Sequence, residues 1–290
     1  MASIKVGDVV GRVSYGCDIY FKVTRVYVEN GVEYSRLKGL DLRLKATAPV
    51  DDLCKIDSGQ VSSFWHNCAK CNLERQKQVF KRRDMERLVR LKRATQGNHE
   101  EIESFDLPGS LVHIDGDKEY LDLCMTTYKQ LNIPCHGYHV EEEKQAGALM
   151  EILVKHRPDL LVLTGHDGLI KDASNFRDIN TYHNSKHFID AVKIARTFEK
   201  NLDDLIIFAG ACQSYYEGLL EAGANFASSP KRVLIHAYDP VFVMEKIAYT
   251  SIFDPIALKE IIAGTITGFD GIGGLETRGK YRLGVPKSPY

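Results

Sequence analysis

The chain has 290 residues, of which 44% are hydrophobic and 27% are charged, a composition typical of one to three globular domains. Its 38 Lys and Arg residues are balanced by 39 Asp and Glu residues, which argues against nucleic acid or a membrane surface as a partner. No apolar run approaches the ~20 residues of a membrane helix, and the opening MASIKVGDVV has no apolar signal core. We therefore expect a cytoplasmic protein whose seven cysteines are free thiols rather than a disulfide framework.

Short β-strands are predicted at the start of the chain. The stretch from Asp18 to Pro49 is rich in Val, Tyr, Ile and Phe, and Asn30-Gly31 between two β runs is a hairpin signal. The opening KVGDVVGRVSY resembles the first strand and turn of many small barrels. We predict a small SH3-like β-barrel over residues 1–52.

A charged helix is predicted within residues 53–106. A loose apolar stripe with helical spacing is formed there by Val79, Met85, Leu88, Val89 and Leu91. The basic residues Lys81–Arg93 would suit a non-catalytic RNA-binding or scaffold protein that uses the barrel and this helix. We instead predict a solvated helical linker, because acidic residues dilute the basic run and no aromatic residues are interleaved with it.

A metal site is not expected. Cys68 and Cys71 form one CxxC pair, with His66 nearby, but a structural zinc site takes four ligands, usually from two such pairs. His183 and His187 lie four residues apart, but the first of them precedes the predicted helix. We therefore expect neither a metal nor another cofactor.

Strands and helices alternate over residues 107–290. The predicted strands are SLVHID, PCHGYHVE, DLLVLTG, DLIIFAG and RVLIHAY, and the predicted helices are KEYLDLCMTTYKQLN, EEKQAGALMEILVKH, KHFIDAVKIARTF and SYYEGLLEAGA. Apolar strands separated by helices are typical of an α/β fold with a mostly parallel sheet covered by helices on both faces.

Two of these strands end at small residues that are followed by a reactive side chain. DLLVLTG leads to His166, and DLIIFAGA leads to Cys212. One helical crossover separates the two strands, so we expect them to be neighbours, ~4.8 Å apart. Because functional groups gather at the carboxyl ends of parallel strands, the pattern predicts a Cys–His dyad.

Such a pair suits nucleophilic catalysis. A free thiol with a pKa of ~8.5 is mostly protonated at neutral pH, and an imidazole beside it can stabilise the thiolate and protonate a leaving amine. We expect a helix beginning near Gln213 to favour the thiolate, and Gly210-Ala211 to let a substrate backbone approach the sulfur. The backbone N–H groups of Cys212 and of Asp167 or Gly168 are the predicted oxyanion hole.

Two other interpretations remain open at this point. A lone cysteine after an apolar strand is often a buried core thiol. Amidotransferase-like and DJ-1-like thiol hydrolases also place a cysteine at a strand-to-helix turn, but their histidine follows the cysteine in the chain. Here His166 precedes Cys212, which favours a protease.

The order of the two motifs resembles the caspase–gingipain–clostripain–separase group of cysteine proteases over residues 107–250. The whole chain resembles the YabG family of sporulation-specific proteases, through VGDVVGRVSYGCDIYFKV, LLVLTGHDG and FAGACQSYYEGLLEAGANFASSP. The resemblance implies a caspase-like catalytic domain over residues 107–290, with Cys212 as nucleophile and His166 as base or acid. The chain departs from the wider group at Asp167, because the group has glycine directly after the histidine.

The resemblance also implies a substrate class. It implies an endopeptidase of the mother cell and spore coat that cleaves spore coat and cortex-associated proteins after basic residues, Arg above all. In this fold group the first strand of the sheet supplies a pocket residue, and here that strand leads to Asp115 and Asp117. Either carboxylate could bind a guanidinium, although Asp115 could instead form an Asp-Gly turn and Asp117 a helix cap. Asp167 and Asp239 are further candidates.

Self-cleavage is also expected. The segment LKRATQGNHEE offers Arg93 to an enzyme that cuts after basic residues, and Gly97-Asn98 break any helix there. Because proteolysis concentrates in exposed segments between domains, we predict autoprocessing near Arg93 that separates the barrel from the catalytic domain.

Overall fold

The computed structural model describes residues 3–94, 103–171 and 173–288, which form two compact units, Met1–Arg75 and Gln76–Tyr290. The strands of the first unit are β1 (Val9–Arg12), β2 (Phe21–Glu29), β3 (Val32–Gly39), β4 (Lys45–Pro49) and β5 (Leu53–Lys55). All pair antiparallel, in the order β4-β3-β2-β1-β5.

The β2–β3 hairpin turns where the sequence predicts it. Asn30 and Gly31 have φ angles of 50° and 77°, and a two-residue turn of this kind needs positive φ at both positions. Glu29 pairs with Val32 across the turn. An antiparallel sheet at this end of the chain is confirmed, and its description as an SH3-like barrel stays a prediction.

The helix α1 (Ser58–Ala94) has 37 residues; it begins in the first unit and ends in the second. It begins well before the charged run that the sequence singles out. The reason is a capping arrangement, because Asp57 Oδ2 accepts from Gly59 N at 2.7 Å and Gln60 Oε1 accepts from Asp57 N at 3.3 Å. An acidic cap with Gln three residues later is a sequence signal for a helix start.

In the second unit, α1 is held by one member of the predicted apolar stripe and by an arginine. Val79, from that stripe, is 8% exposed and belongs to an apolar core, and Arg83 is also 8% exposed, whereas Leu88 is 62% exposed. The Arg83 guanidinium donates to Glu245 Oε1 at 2.7 Å and lies 3.2 Å from the ring centroid of Tyr249. This part of α1 therefore packs through both Val79 and Arg83, while Leu88 is exposed.

The second unit alternates strands and helices as predicted. Its strands are β6 (Phe105–Leu107), β7 (Leu111–Asp115), β8 (Cys135–His139), β9 (Leu160–Thr164), β10 (Ile206–Ala209), β11 (Phe226–Ser228), β12 (Pro255–Ile256), β13 (Ile272–Gly274), β14 (Thr277–Arg278) and β15 (Arg282–Gly284). Its further helices are α2 (Lys118–Gln130), α3 (Glu142–His156), α4 (Ser185–Phe198), α5 (Tyr216–Glu221), α6 (Asp239–Tyr249) and α7 (Leu258–Ile262).

Six strands form the main sheet, in the order β13-β11-β10-β9-β7-β8. All neighbouring pairs are parallel except β11–β13. Alternate residues of the central strands enter two separate apolar cores, as Leu160 and Val162 do on one side and Leu161 and Leu163 on the other. A helix-flanked, mostly parallel sheet is confirmed.

The strand order reverses between β7 and β9. The chain passes from β7 outward to β8 and then returns to β9 on the other side of β7. In open α/β sheets the crevice at such a reversal, at the carboxyl ends of the strands, is where ligands bind. The ends of β7, β9 and β10 are therefore the place to look for a site.

One predicted strand is wrong. RVLIHAY, residues 232–238, forms a loop, and the strand that follows α5 is β11 instead. Asn225 sets this pairing, because its backbone N–H donates to Ile207 O and its side-chain oxygen accepts from Ile207 N, both at 2.9 Å. In the described residues, no helix is both long enough and apolar enough to cross a membrane.

Candidate active site

His166 and Cys212 follow neighbouring strands at equal heights. In the parallel β9–β10 pair the last partners are Leu163 and Ala209, so each reactive residue lies three positions beyond its strand's last partner. Gly210 N donates to Leu163 O at 3.0 Å, which continues the alignment past the strands. The predicted adjacency of the two strands is confirmed.

The His166 side chain is held by Asp117. His166 is 4% exposed, and its Nε2 lies 2.8 Å from Asp117 Oδ2. Its ring centroid lies 5.5 Å from that of Tyr120 in α2. Glu142 Oε1 accepts a hydrogen bond from the His166 backbone N–H at 2.7 Å. Both the imidazole and the loop that carries it are thus fixed by carboxylates.

The two carboxylates at the end of β7 have different surroundings. Asp115 is completely buried, and its oxygens accept from Thr164 Oγ1 at 2.9 Å and from Asp117 N at 2.8 Å. Asp117 is 8% exposed and caps α2, since its Oδ1 accepts from Glu119 N at 2.9 Å and from Tyr120 N at 3.2 Å. The helix-cap role that the sequence allowed for Asp117 is present in the structure.

Cys212 has no exposed surface. Ile235 N donates to Cys212 Sγ at 3.3 Å, and Ile235 O lies 3.8 Å from the sulfur. The preceding Gly210 has a φ of 106°, and a Cβ there would lie 2.4 Å from Ser228 Oγ. Glycine is therefore required by the backbone and by packing against β11, which is a different reason from the substrate access expected from the sequence.

The helix after Cys212 begins later than predicted. Gln213 has a φ of 53°, a left-handed conformation that no α-helix continues through. α5 therefore begins at Tyr216 and has only six residues. The expectation that a helix amino end at Gln213 favours the thiolate is wrong.

Residues 232–238, which we call the cover, lie against Cys212. Val233 O accepts from Gln213 N at 3.1 Å, and Ala237 O accepts from Cys124 Sγ in α2 at 3.3 Å. At one end of the cover, Arg232 Nε donates to Tyr182 Oη at 2.7 Å, and its guanidinium pairs with Glu217. The contacts of Ile235 with the sulfur lie at the centre of this segment.

Asp167 ties the two loops together. Its carboxylate accepts from Ser214 Oγ at 2.8 Å, from Asn184 N at 2.7 Å and from Gly168 N at 2.9 Å; Ser185 Oγ also donates to it. Burial raises the pKa of Asp167 above its ordinary value, although these hydrogen bonds act in the opposite direction. The Gly168 N–H, one of the predicted oxyanion donors, is directed at this carboxylate.

Asp239, another candidate for substrate binding, is also structural in its contacts. It is completely buried, and its oxygens accept from His236 N at 3.0 Å and from Ile266 N at 2.6 Å.

Among residues 3–94, 103–171 and 173–288, no group of three or more His, Cys, Asp or Glu side chains is arranged to hold a metal.

Glu142 is the site residue that the sequence analysis missed. It lies in the first turn of α3, and its Oε1 would be 2.3 Å from a Cβ at Gly116 and 2.4 Å from a Cβ at Gly165. The signal was a glycine directly after each of the two strands β7 and β9. The paired glycines leave room between the strand ends for a carboxylate that fixes the His166 loop.

Comparison with known proteins shows the family of the chain. The sequence model of the family described as YabG peptidase U57 matches residues 5–286. The chain is 39% identical over 290 residues to the sporulation-specific protease YabG of Bacillus subtilis (strain 168), covering 97% of this chain and 98% of that protein. No solved structure matches the chain significantly. The chain therefore belongs to the YabG family of peptidases.

Proposed function

We propose that the chain is a cysteine endopeptidase of sporulation, with Cys212 as nucleophile and His166 as general acid and base. Family membership supports peptidase activity and a role in sporulation. The observation that carries the cysteine type is the placement of His166 and Cys212 three residues beyond the paired Leu163 and Ala209.

The chemistry begins with proton transfer from the thiol. Since Nε2 of His166 faces Asp117, the proton of Cys212 would pass to Nδ1, the other ring nitrogen. The thiolate then attacks the peptide carbonyl, and the imidazolium protonates the leaving amine. Water releases the acyl group in a second step. The backbone N–H groups of Cys212 and Asp167 are the proposed donors to the oxyanion, because the Gly168 N–H already donates to the Asp167 carboxylate at 2.9 Å.

Attack requires the cover to move, because Cys212 Sγ has no exposed surface beneath Ile235. An extended substrate could take over the backbone contact that Val233 O makes with Gln213 N. Substrate binding and opening of the site would then be one event.

We further propose that the catalytic domain is caspase-like. We propose that it cuts spore coat and cortex-associated proteins after basic residues, with Arg preferred, and that it acts in the mother cell and spore coat. A carboxylate at the end of β7, Asp115 or Asp117, would meet the substrate guanidinium. Because Asp115 is completely buried, that role would require the loops to rearrange when the cover opens.

The test uses wild type, Cys212→Ala and His166→Ala with a peptide library analysed by mass spectrometry. We expect both variants to lose cleavage, and the double variant to lose little more, because the two residues act as one unit. Cys71→Ala is the matched control, since Cys71 is an exposed thiol. Near wild-type turnover in either single variant would remove that residue from the mechanism.

A further inference from the structure

The two oxygens of Asp117 contact different partners. Oδ1 accepts from the first N–H groups of α2, Glu119 N at 2.9 Å and Tyr120 N at 3.2 Å. Oδ2 lies 2.8 Å from Nε2 of His166. The helix amino end therefore orients the carboxylate, and the carboxylate orients the imidazole.

A second layer fixes the backbone of Asp117. Asp115 Oδ1 accepts from Asp117 N at 2.8 Å, while Asp115 Oδ2 accepts from Thr164 Oγ1 at 2.9 Å. Thr164 ends β9, the strand that leads to His166. The ends of β7 and β9 are thus joined at the side chains, and also at the backbone, where Gly116 N donates to Thr164 O at 3.0 Å.

We propose that Asp117 is a positioning residue that holds His166 in the tautomer with its proton on Nε2 and stabilises the imidazolium formed on proton transfer. The proposal rests on the proposed function, because it extends the Cys212–His166 pair to a triad. With Nε2 protonated, Nδ1 carries the lone pair and can take the thiol proton; Asp117 itself stays ionised throughout.

This role competes with the substrate-binding role that the sequence suggested for Asp117. A substrate guanidinium at Oδ2 would have to displace His166 from its 2.8 Å contact. The two roles predict different substrate dependence. A guanidinium site loses activity on Arg peptides alone, whereas a positioning residue loses activity on every peptide that the enzyme cleaves.

The variant that separates the roles is Asp117→Ser, because serine is a strong helix cap and keeps α2 in place while the contact with His166 is lost. Asp178→Ser is the matched control, since Asp178 Oδ1 accepts from Asn180 N at 2.9 Å in a similar cap. Asp117→Asn serves as a second variant if the serine variant does not fold.

We expect Asp117→Ser to lower kcat by roughly 10²- to 10⁴-fold, by analogy with loss of the triad carboxylate elsewhere, with KM changed by less than about threefold. The loss should be equal for peptides with Arg and with Gln at the cleavage position, and absent in Asp178→Ser. A loss confined to Arg peptides, or normal turnover on both, would overturn the proposal.

A second readout does not depend on activity. Two-bond ¹H–¹⁵N spectra of the histidine side chains report the tautomer, and His166→Gln identifies the His166 signals. We expect a single Nε2–H tautomer in Cys212→Ala and a mixture once Asp117→Ser is added; an unchanged tautomer would overturn the proposal. Turnover in Cys212→Ala would instead reject the proposed function and leave this measurement valid.

Discussion

Asp167 is a buried carboxylate that joins its own loop to two other segments of the site. Its partners Ser214 and Asn184 lie after β10 and before α4, so one side chain links three segments of the site. Burial raises its pKa, which means that the folded state holds this proton more tightly than the unfolded chain, whose Asp pKa is about 3.9.

The consequence is a defined pH dependence of stability. As pH rises from about 4 through the raised folded-state pKa, the unfolded state gives up its proton first, so the contribution of Asp167 to stability falls. We expect the stability of Asp167→Asn relative to wild type to improve over this range, as measured by urea unfolding at several pH values. A relative stability that worsens with pH would show that the hydrogen bonds outweigh burial.

Asp115 gives a second prediction for a single residue. Asp115→Ala leaves Asp117 N without its acceptor and removes one of the two partners of Thr164 Oγ1, which also lies 2.7 Å from His113 Nε2. An unpaired buried donor costs about 1–3 kcal/mol. We expect a lower urea midpoint together with a larger loss of kcat/KM for Arg peptides than for Gln peptides, because a carboxylate at the end of β7 is proposed to meet the substrate guanidinium. An unchanged ratio would limit Asp115 to its structural contacts and remove it from the proposed pocket.

Among the elements, α1 packs partly through buried charged side chains. Arg83 and Glu245 are 8% and 1% exposed, and Arg82 Nη2 donates to the same carboxylate at 2.7 Å. Burial lowers the pKa of Arg83, opposed by its contact with Glu245. Basic residues turned toward the protein in this way are poorly placed to bind RNA.

Arg83→Ala removes one of the two arginines that donate to Glu245, while Arg82 Nη2 still donates to both oxygens of that carboxylate, at 2.7 and 2.8 Å. We therefore expect the free energy of unfolding to fall by about 1.5–3 kcal/mol, the range for a hydrogen bond to a charged group. Arg93→Ala is the control on the same helix, since its side chain is 69% exposed and 3.7 Å from Asp254, and it should cost less than about 1 kcal/mol. Equal losses in the two variants would show that Arg83 does not anchor the helix.

For the molecule as a whole, local patterns predicted much of the fold. Apolar runs that end abruptly at small residues predict β9 and β10 and the loops that carry His166 and Cys212. They do so because a strand and the start of the loop after it depend on a short stretch of sequence. The packing of α1 was not predictable, since Arg83 and Glu245 lie 162 residues apart. The sequence predicts a strand for the cover because a buried apolar loop and a buried strand have the same composition.

Self-cleavage is the prediction that involves the whole chain. The predicted segment lies mainly outside the described residues, but Arg93 belongs to the last turn of α1, so cleavage there requires that turn to unwind. We expect purified wild type, but neither Cys212→Ala nor Arg93→Gln, to yield a fragment that begins at Ala94. An intact wild-type chain that still cuts added peptide would show that the segment is not processed.

The buried position of Cys212 bears on how inhibitors of this protein should be sought. Cys71 is exposed, whereas the proposed nucleophile has no accessible surface, so small alkylating reagents should label Cys71 first. A screen that ranks cysteines by how fast they are labelled would place Cys212 among the last. An electrophile carried on a peptide backbone that replaces the contacts of the cover should reverse that ranking, which makes the order of labelling a direct report of whether the site has opened.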